Sequence, residues 1–98
     1  MIRIDILSQC PDAAVMRVCG EILLDYEINL VAQEGKRYLE TSKLLVLDLE
    51  HLHVLSDRAF PQLKEWQAQG RLQISKHNYR INSSLQRSGL IPKQEGRP

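Results

Sequence analysis

The chain has 98 residues, 43% hydrophobic and only 5% aromatic, with a formal net charge of +1. That length fits one small domain with an aliphatic core. Nearly balanced charge gives no general attraction to nucleic acid or to an acidic membrane, and no apolar run approaches the ~20 residues of a membrane helix.

Ile2, Ile4 and Ile6 alternate with Arg3 and Asp5, the period of a half-buried strand near a sheet edge. The same two charges break the N-terminal apolar run, so it does not read as a signal peptide. Pro11 and its polar neighbours mark a turn, and residues 14–19 form a second strand joined to the first as a hairpin. Gly20 is expected to end that strand. Asp25 is placed as a helix N-cap, with Glu27 adding negative charge to the first turn. The helix has an apolar stripe of Ile28, Val31, Ala32, Gly35, Tyr38 and Leu39, at spacings of three and four. Gly35 costs about 1 kcal/mol against Ala, which suits a close approach to the sheet.

Residues 44–60, LLVLDLEHLHVLSDRAF, organise the remainder. Leu44 to Leu47 form a continuous apolar run, which predicts a strand buried on both faces. Asp48 interrupts it, and Leu49, Leu52, Val54 and Leu55 resume it. Ser56, Asp57 and Arg58 then open a helix, since Ser and Asp accept hydrogen bonds from orphan helix N–H groups. A polar turn at the end of a buried strand is where α/β sheets display working groups. Pro61 belongs in a first helical turn, so regular helix starts later than Ser56. Ala59, Leu63 and Trp66 share a face, and Gly70 suits the C′ position. Residues 71–75 predict another strand. Asn78 caps a third helix carrying Ile81 and Leu85 and ended by Gly89. The order is strand, strand, helix, strand, helix, strand, helix: an α/β chain with parallel pairing. Residues 93–98 read as a flexible tail.

The residues capable of chemistry are scattered. His51 and His53 alternate as on one strand face, but zinc needs three or four protein ligands and no third is placed. Cys10 and Cys19 lack CxxC spacing; Cys19 reads as a small core residue and both as reduced thiols in a cytoplasmic protein. Asp48 is expected to pair with a lysine or cap a turn. Trp66 and Phe60 read as core. There is no glycine-rich phosphate loop, and no catalytic residue, metal or cofactor is predicted.

Several landmarks resemble the STAS domain family of anti-sigma factor antagonists and anion-transporter tails. Val18-Cys19-Gly20-Glu21-Ile22 is similar to the family's apolar-x-Gly-Glu-Leu segment. Leu45-Val46-Leu47-Asp48-Leu49 resembles its strand ending in Leu-Asp-Leu. Gln69-Gly70-Arg71-Leu72 and Ser88-Gly89-Leu90 match two later glycine positions. The resemblance spans residues 15–90. It implies a STAS-type mixed β-sheet of four to five strands with helices packed mainly on one side, as a single domain over residues 1–92. It also implies a non-enzymatic, cytoplasmic interaction module of the antagonist type. Its partner would be an anti-sigma factor or serine-kinase-like regulator, with no nucleic acid and no membrane insertion. The implied partner-binding turn is Ser56, Asp57, Arg58 and Ala59. Asp57 stands where antagonists carry the phosphorylatable serine. Leu23-Leu24 and Ala59 instead resemble transporter STAS domains, which makes association with an anion-transport complex the alternative.

Overall fold

The computed structural model describes residues 1–92; the expected tail lies outside the described residues. In chain order the elements are β1 (Ile2–Gln9), β2 (Ala13–Ile22), α1 (Asp25–Leu39), β3 (Leu44–Asp48), β4 (Leu52–Leu55), a 3-10 turn (Asp57–Ala59), α2 (Phe60–Ala68), β5 (Leu72–Lys76) and α3 (Tyr79–Ser88). β1 pairs antiparallel with β2 as a hairpin. β2 then pairs in parallel with two strands: with β3 along its first half and with β4 along its second. β5 adds in parallel to the far side of β3.

The alternation of β2 decides which face is core. Ala14, Met16 and Val18 are fully buried, and Ala14 and Met16 lie beside Leu45 and Leu47 in register. Val31 and Leu39 of α1, Leu63 and Trp66 of α2, and Ile81 and Leu85 of α3 complete one cluster with them. The alternate residues Val15, Arg17, Leu44 and Val46 are only half-buried. β3 is thus buried on one face rather than both. Its continuous apolar run reflects Leu44 and Val46 filling the second face without a helix over them. Cys19 shares that face and is half-buried rather than core, while Cys10 is exposed.

Two boundaries differ from expectation. β2 continues through Gly20 to Ile22, because β4 extends the sheet there and gives those residues partners. Gly20 has φ +96° and a Cβ there would lie 2.2 Å from the Met1 carbonyl oxygen, so the strand passes through a conformation and a gap that only glycine fits. The apolar part of the stretch 44–60, expected as a strand leading into the Ser56 turn, is also two strands, Leu44–Asp48 and Leu52–Leu55. Asp48 Oδ1 accepts from the Glu50 N–H at 3.1 Å and turns the chain, so β4 departs and pairs with β2 instead. Asp48 thus caps a turn as expected, but its ionic partner is Arg17 at 3.3 Å rather than a lysine.

α1 and α2 meet where Trp66 lies against Gly35. A Cβ on Gly35 would be 2.7 Å from the Trp66 ring and 3.0 Å from Leu45 Cδ2. Gly35→Ala is therefore expected to destabilise the chain by about 1–3 kcal/mol through overpacking, despite the gain of about 1 kcal/mol in helix propensity. Urea unfolding checks this; a stabilised variant would show that Trp66 has room to move.

Candidate functional site

β2 and β4 run in parallel and finish side by side, Ile22 opposite Leu55. The chain segments that leave them therefore emerge together at the carboxyl edge of the sheet, where open α/β sheets place their working loops. One is Leu23-Leu24, leading into α1. The other is the turn Ser56–Ala59, leading into α2.

The Ser56 N–H donates to the Ile22 carbonyl at 2.8 Å, which joins the second segment to the end of β2. Ser56 Oγ accepts from the Arg58 N–H at 3.2 Å, and its carbonyl accepts from the Ala59 N–H at 3.0 Å. Ser56 is thus the N-cap, and Asp57 opens the 3-10 turn with its side chain exposed. Among the described residues the Asp57 carboxylate has no hydrogen-bond or ionic partner. Arg58 reaches back across the edge, donating to Asp25 Oδ1 and, at 2.9 Å, to the Leu23 carbonyl. Ala59 is buried under the turn. α2 begins only at Phe60, with Pro61 in its first turn, as the proline requires.

Asp25 is not the N-cap of α1. Leu24 occupies that position with extended backbone, and the Asp25 carboxylate serves Arg58 instead. Capping is done from inside the helix. Glu27, 1% exposed, turns Oε1 back to accept from the N–H groups of Leu23 and Leu24, at 3.0 and 2.9 Å. Those bonds, Leu24's first and then Leu23's, hold the Glu27 carboxyl below the ordinary glutamate pKa, against the opposing effect of burial. A carboxyl lowered by folding stabilises the native state fully above its unfolded value, about 4.3, and the contribution fades as pH falls from there through the native pKa. Glu27→Gln keeps an acceptor for the two N–H groups and removes the titration. The stability gap between wild type and Glu27→Gln should therefore narrow from pH 7 to pH 3 in parallel urea titrations. An unchanged gap would mean that Glu27 does not titrate with folding.

The sequence pointed to the turn but not to the surface beside it. Leu23, Leu24, Tyr26 and Leu30 are 46%, 52%, 61% and 37% exposed. Tyr26 and Leu30 are one helical turn apart on the same flank of α1. The available signal was that these apolar residues fall outside the stripe through Val31, Gly35 and Leu39.

No other constellation assembles among the described residues. His51 lies in the turn before β4 and His53 within the strand, both exposed, and no group of three or more metal-ligating side chains occurs among the described residues. Trp66 is core as expected, while Phe60 is only half-buried. The cavity between α1 and α2, bordered by Ile28, Ala32 and Gln62, has a volume of ≈ 20 Å³, room for about one water. A broader open hollow contains Arg71, but that guanidinium is committed to the carbonyls of Leu39, Ser42 and Lys43.

No family model matches the sequence, and no curated protein does. The three-dimensional arrangement does find a match. It is similar to the structure of the anti-sigma factor antagonist SpoIIAA in its unphosphorylated form, with a TM-score of 0.74 and 14% identity. The match covers 95% of this chain and 86% of that one. The chain has the STAS fold. Its mixed five-stranded sheet with three helices packed against it agrees with the mixed sheet of four to five strands that the resemblance implies. In this STAS fold the turn 56–59 and the loop 23–25 form one edge, bridged by Arg58. No helix among the described residues is long and apolar enough to cross a membrane.

Proposed function

We propose that this chain is a non-enzymatic regulatory module of the antagonist type, which binds an anti-sigma factor or a serine-kinase-like regulator through the edge built on Ser56, Asp57, Arg58 and Ala59. The observation that carries this reading is the match over nearly the whole chain to an anti-sigma factor antagonist. The exposed carboxylate of Asp57 supports a docking role, because no neighbouring group among the described residues uses it. Asp57 supplies one permanent negative charge where the resemblance puts a phosphorylatable serine. A carboxylate cannot form the phosphoester, so binding is constitutive rather than switched. Ser56, one residue out of register, has its hydroxyl oxygen engaged in capping, which disfavours it as a substitute.

Incubation of wild type and Asp57→Ser with the regulator and ATP, followed by intact-mass measurement, tests the reading. The wild type is expected to bind without gaining phosphate, and the variant to become phosphorylated. Stoichiometric phosphate on wild-type Ser56, with loss of binding, would overturn it. The exposed Leu23-Leu24 pair favours the second reading, association with an anion-transport complex; binding to a transporter's cytoplasmic region, and not to the regulator, would establish that one.

A further inference from the structure

Resting on the interaction reading above, we infer that the patch of Leu23, Leu24, Tyr26 and Leu30 is the partner-recognition surface, and that its occupant is a protein segment presenting aliphatic or aromatic side chains flanked by Lys or Arg. The apolar half follows from exposure. Four large hydrophobic side chains, each more than a third exposed, gather at the mouth and along the first turns of α1, whereas soluble surfaces scatter such residues singly.

The charge of the occupant follows from which polar groups are already spent. The N–H groups of Leu23 and Leu24 donate to Glu27, and the Arg58 N–H donates to Ser56. The Arg58 guanidinium is divided between Asp25 and the Leu23 carbonyl. An anionic ligand therefore meets a helix mouth already holding the Glu27 carboxylate, with no uncommitted cation beside it among the described residues. The carboxylates are in the opposite state. Asp57 has no partner among the described residues. Glu21, 48% exposed, has among those residues only the Met1 amino group, at 3.9 Å. An apolar patch with unspent acids at its rim complements a basic-flanked apolar segment. It repels a phosphate backbone or an acidic lipid surface, both of which need cations.

Leu24→Ser separates this idea from a folding effect. Leu24 is the N-cap of α1, a position where Ser is strongly preferred, so the variant loses apolar surface while keeping its helix. The ¹⁵N-labelled full chain would be titrated with an amphipathic leucine peptide flanked by arginines, and with its counterpart flanked by glutamates. Vesicles of phosphatidylcholine and phosphatidylglycerol form a third arm. The arginine peptide should bind about tenfold or more tightly than the glutamate peptide at low salt, shifting the amides of Leu23, Leu24, Tyr26 and Asp57. Leu24→Ser should weaken it at least about fivefold, and Asp57→Lys should erase the preference between peptides. Equal affinity for both peptides, shifts confined to another face, or vesicle binding lost in Leu24→Ser would each overturn the inference. If the regulator binds and Asp57→Lys weakens it while Leu24→Ser does not, this inference fails and the function stands. If the peptide preference holds and the regulator never binds, the function fails alone.

Discussion

Replacing Asn78 with alanine is expected to destabilise the chain by about 2–4 kcal/mol, one of the largest effects available at a side chain that is not apolar. Asn78 does two jobs. Its Oδ1 accepts from the Arg80 N–H at 2.8 Å and caps α3, a bond whose loss costs about 1 kcal/mol. Its Nδ2 donates to the carbonyls of Leu49, Glu50 and Leu52, at 3.3, 2.7 and 2.8 Å. Those carbonyls belong to the turn that separates β3 from β4 and the first residue of β4, so one amide fixes where β4 begins. Removing a donor from partly buried acceptors costs about 1–3 kcal/mol more. At about 4–8 °C per kcal/mol for a domain of this size, the melting temperature should fall by about 10–30 °C. Asn78→Asp isolates the second job. Aspartate caps as well as asparagine, but a carboxylate facing three carbonyls has no proton to give them and is repelled. It should be at least as destabilised as the alanine variant at pH 7. A thermal scan that finds Asn78→Asp near wild type would show that the three carbonyl contacts are dispensable.

Arg58→Ala is expected to lower affinity for the protein partner about tenfold, equal to 1.4 kcal/mol, while costing less than about 1 kcal/mol in stability. The two numbers separate because of exposure. The Arg58 and Asp25 side chains are 58% and 79% exposed, and solvated pairs of this kind contribute little to folding. Their contribution is to geometry. Arg58 ties the turn at 56–59 to the Leu23 carbonyl and to the first residue of α1, so the two halves of the proposed docking edge present as one surface. Without it each half orders separately on binding, and that entropy is charged to the complex. Asp25→Ala should reproduce part of the loss, and the double variant should fall short of the sum, as expected for residues acting through one contact. Calorimetry with the regulator, beside urea unfolding of the same proteins, checks both. A stability loss that matches the affinity loss would mean that Arg58 is structural and not a positioning residue.

Much of the fold was legible because its signals are local. Ile2, Ile4 and Ile6 announce an edge strand by period alone, and they pair with β2 as a hairpin. Pro61 predicts a helix that cannot start at Ser56, and α2 starts at Phe60. Gly70 and Gly89 sit just after helices with φ of +72° and +83°, the left-handed conformation that glycine at a helix end signals. Asn78 was readable as a cap but not as a donor to the β3–β4 turn, since its three carbonyl partners lie 26 to 29 residues away. The missed strand has a similar cause. Residues 44–60 carry one apolar pattern broken by Asp48. Only a parallel partner at Gly20 to Ile22 turns its second half into β4 and prolongs β2 past a glycine that locally reads as a stop.

The sequence by itself determined the helices, the caps at Ser56 and Asn78 and the polar turn at Ser56, Asp57 and Arg58, because propensity, periodicity and capping act within a few residues. Tertiary structure alone decided what that turn stands beside. Arg58 and Asp25 are 33 residues apart, and nothing in their spacing pairs them. They meet because β2 and β4 run in parallel to a common edge, so the segments leaving both strands must share it. The same geometry buries Glu27, whose carboxylate turns back onto the Leu23 and Leu24 amides, and leaves Leu23, Leu24 and Asp57 facing out. Side-chain type can be read along a chain, but which polar groups are already spent depends on contacts made across it.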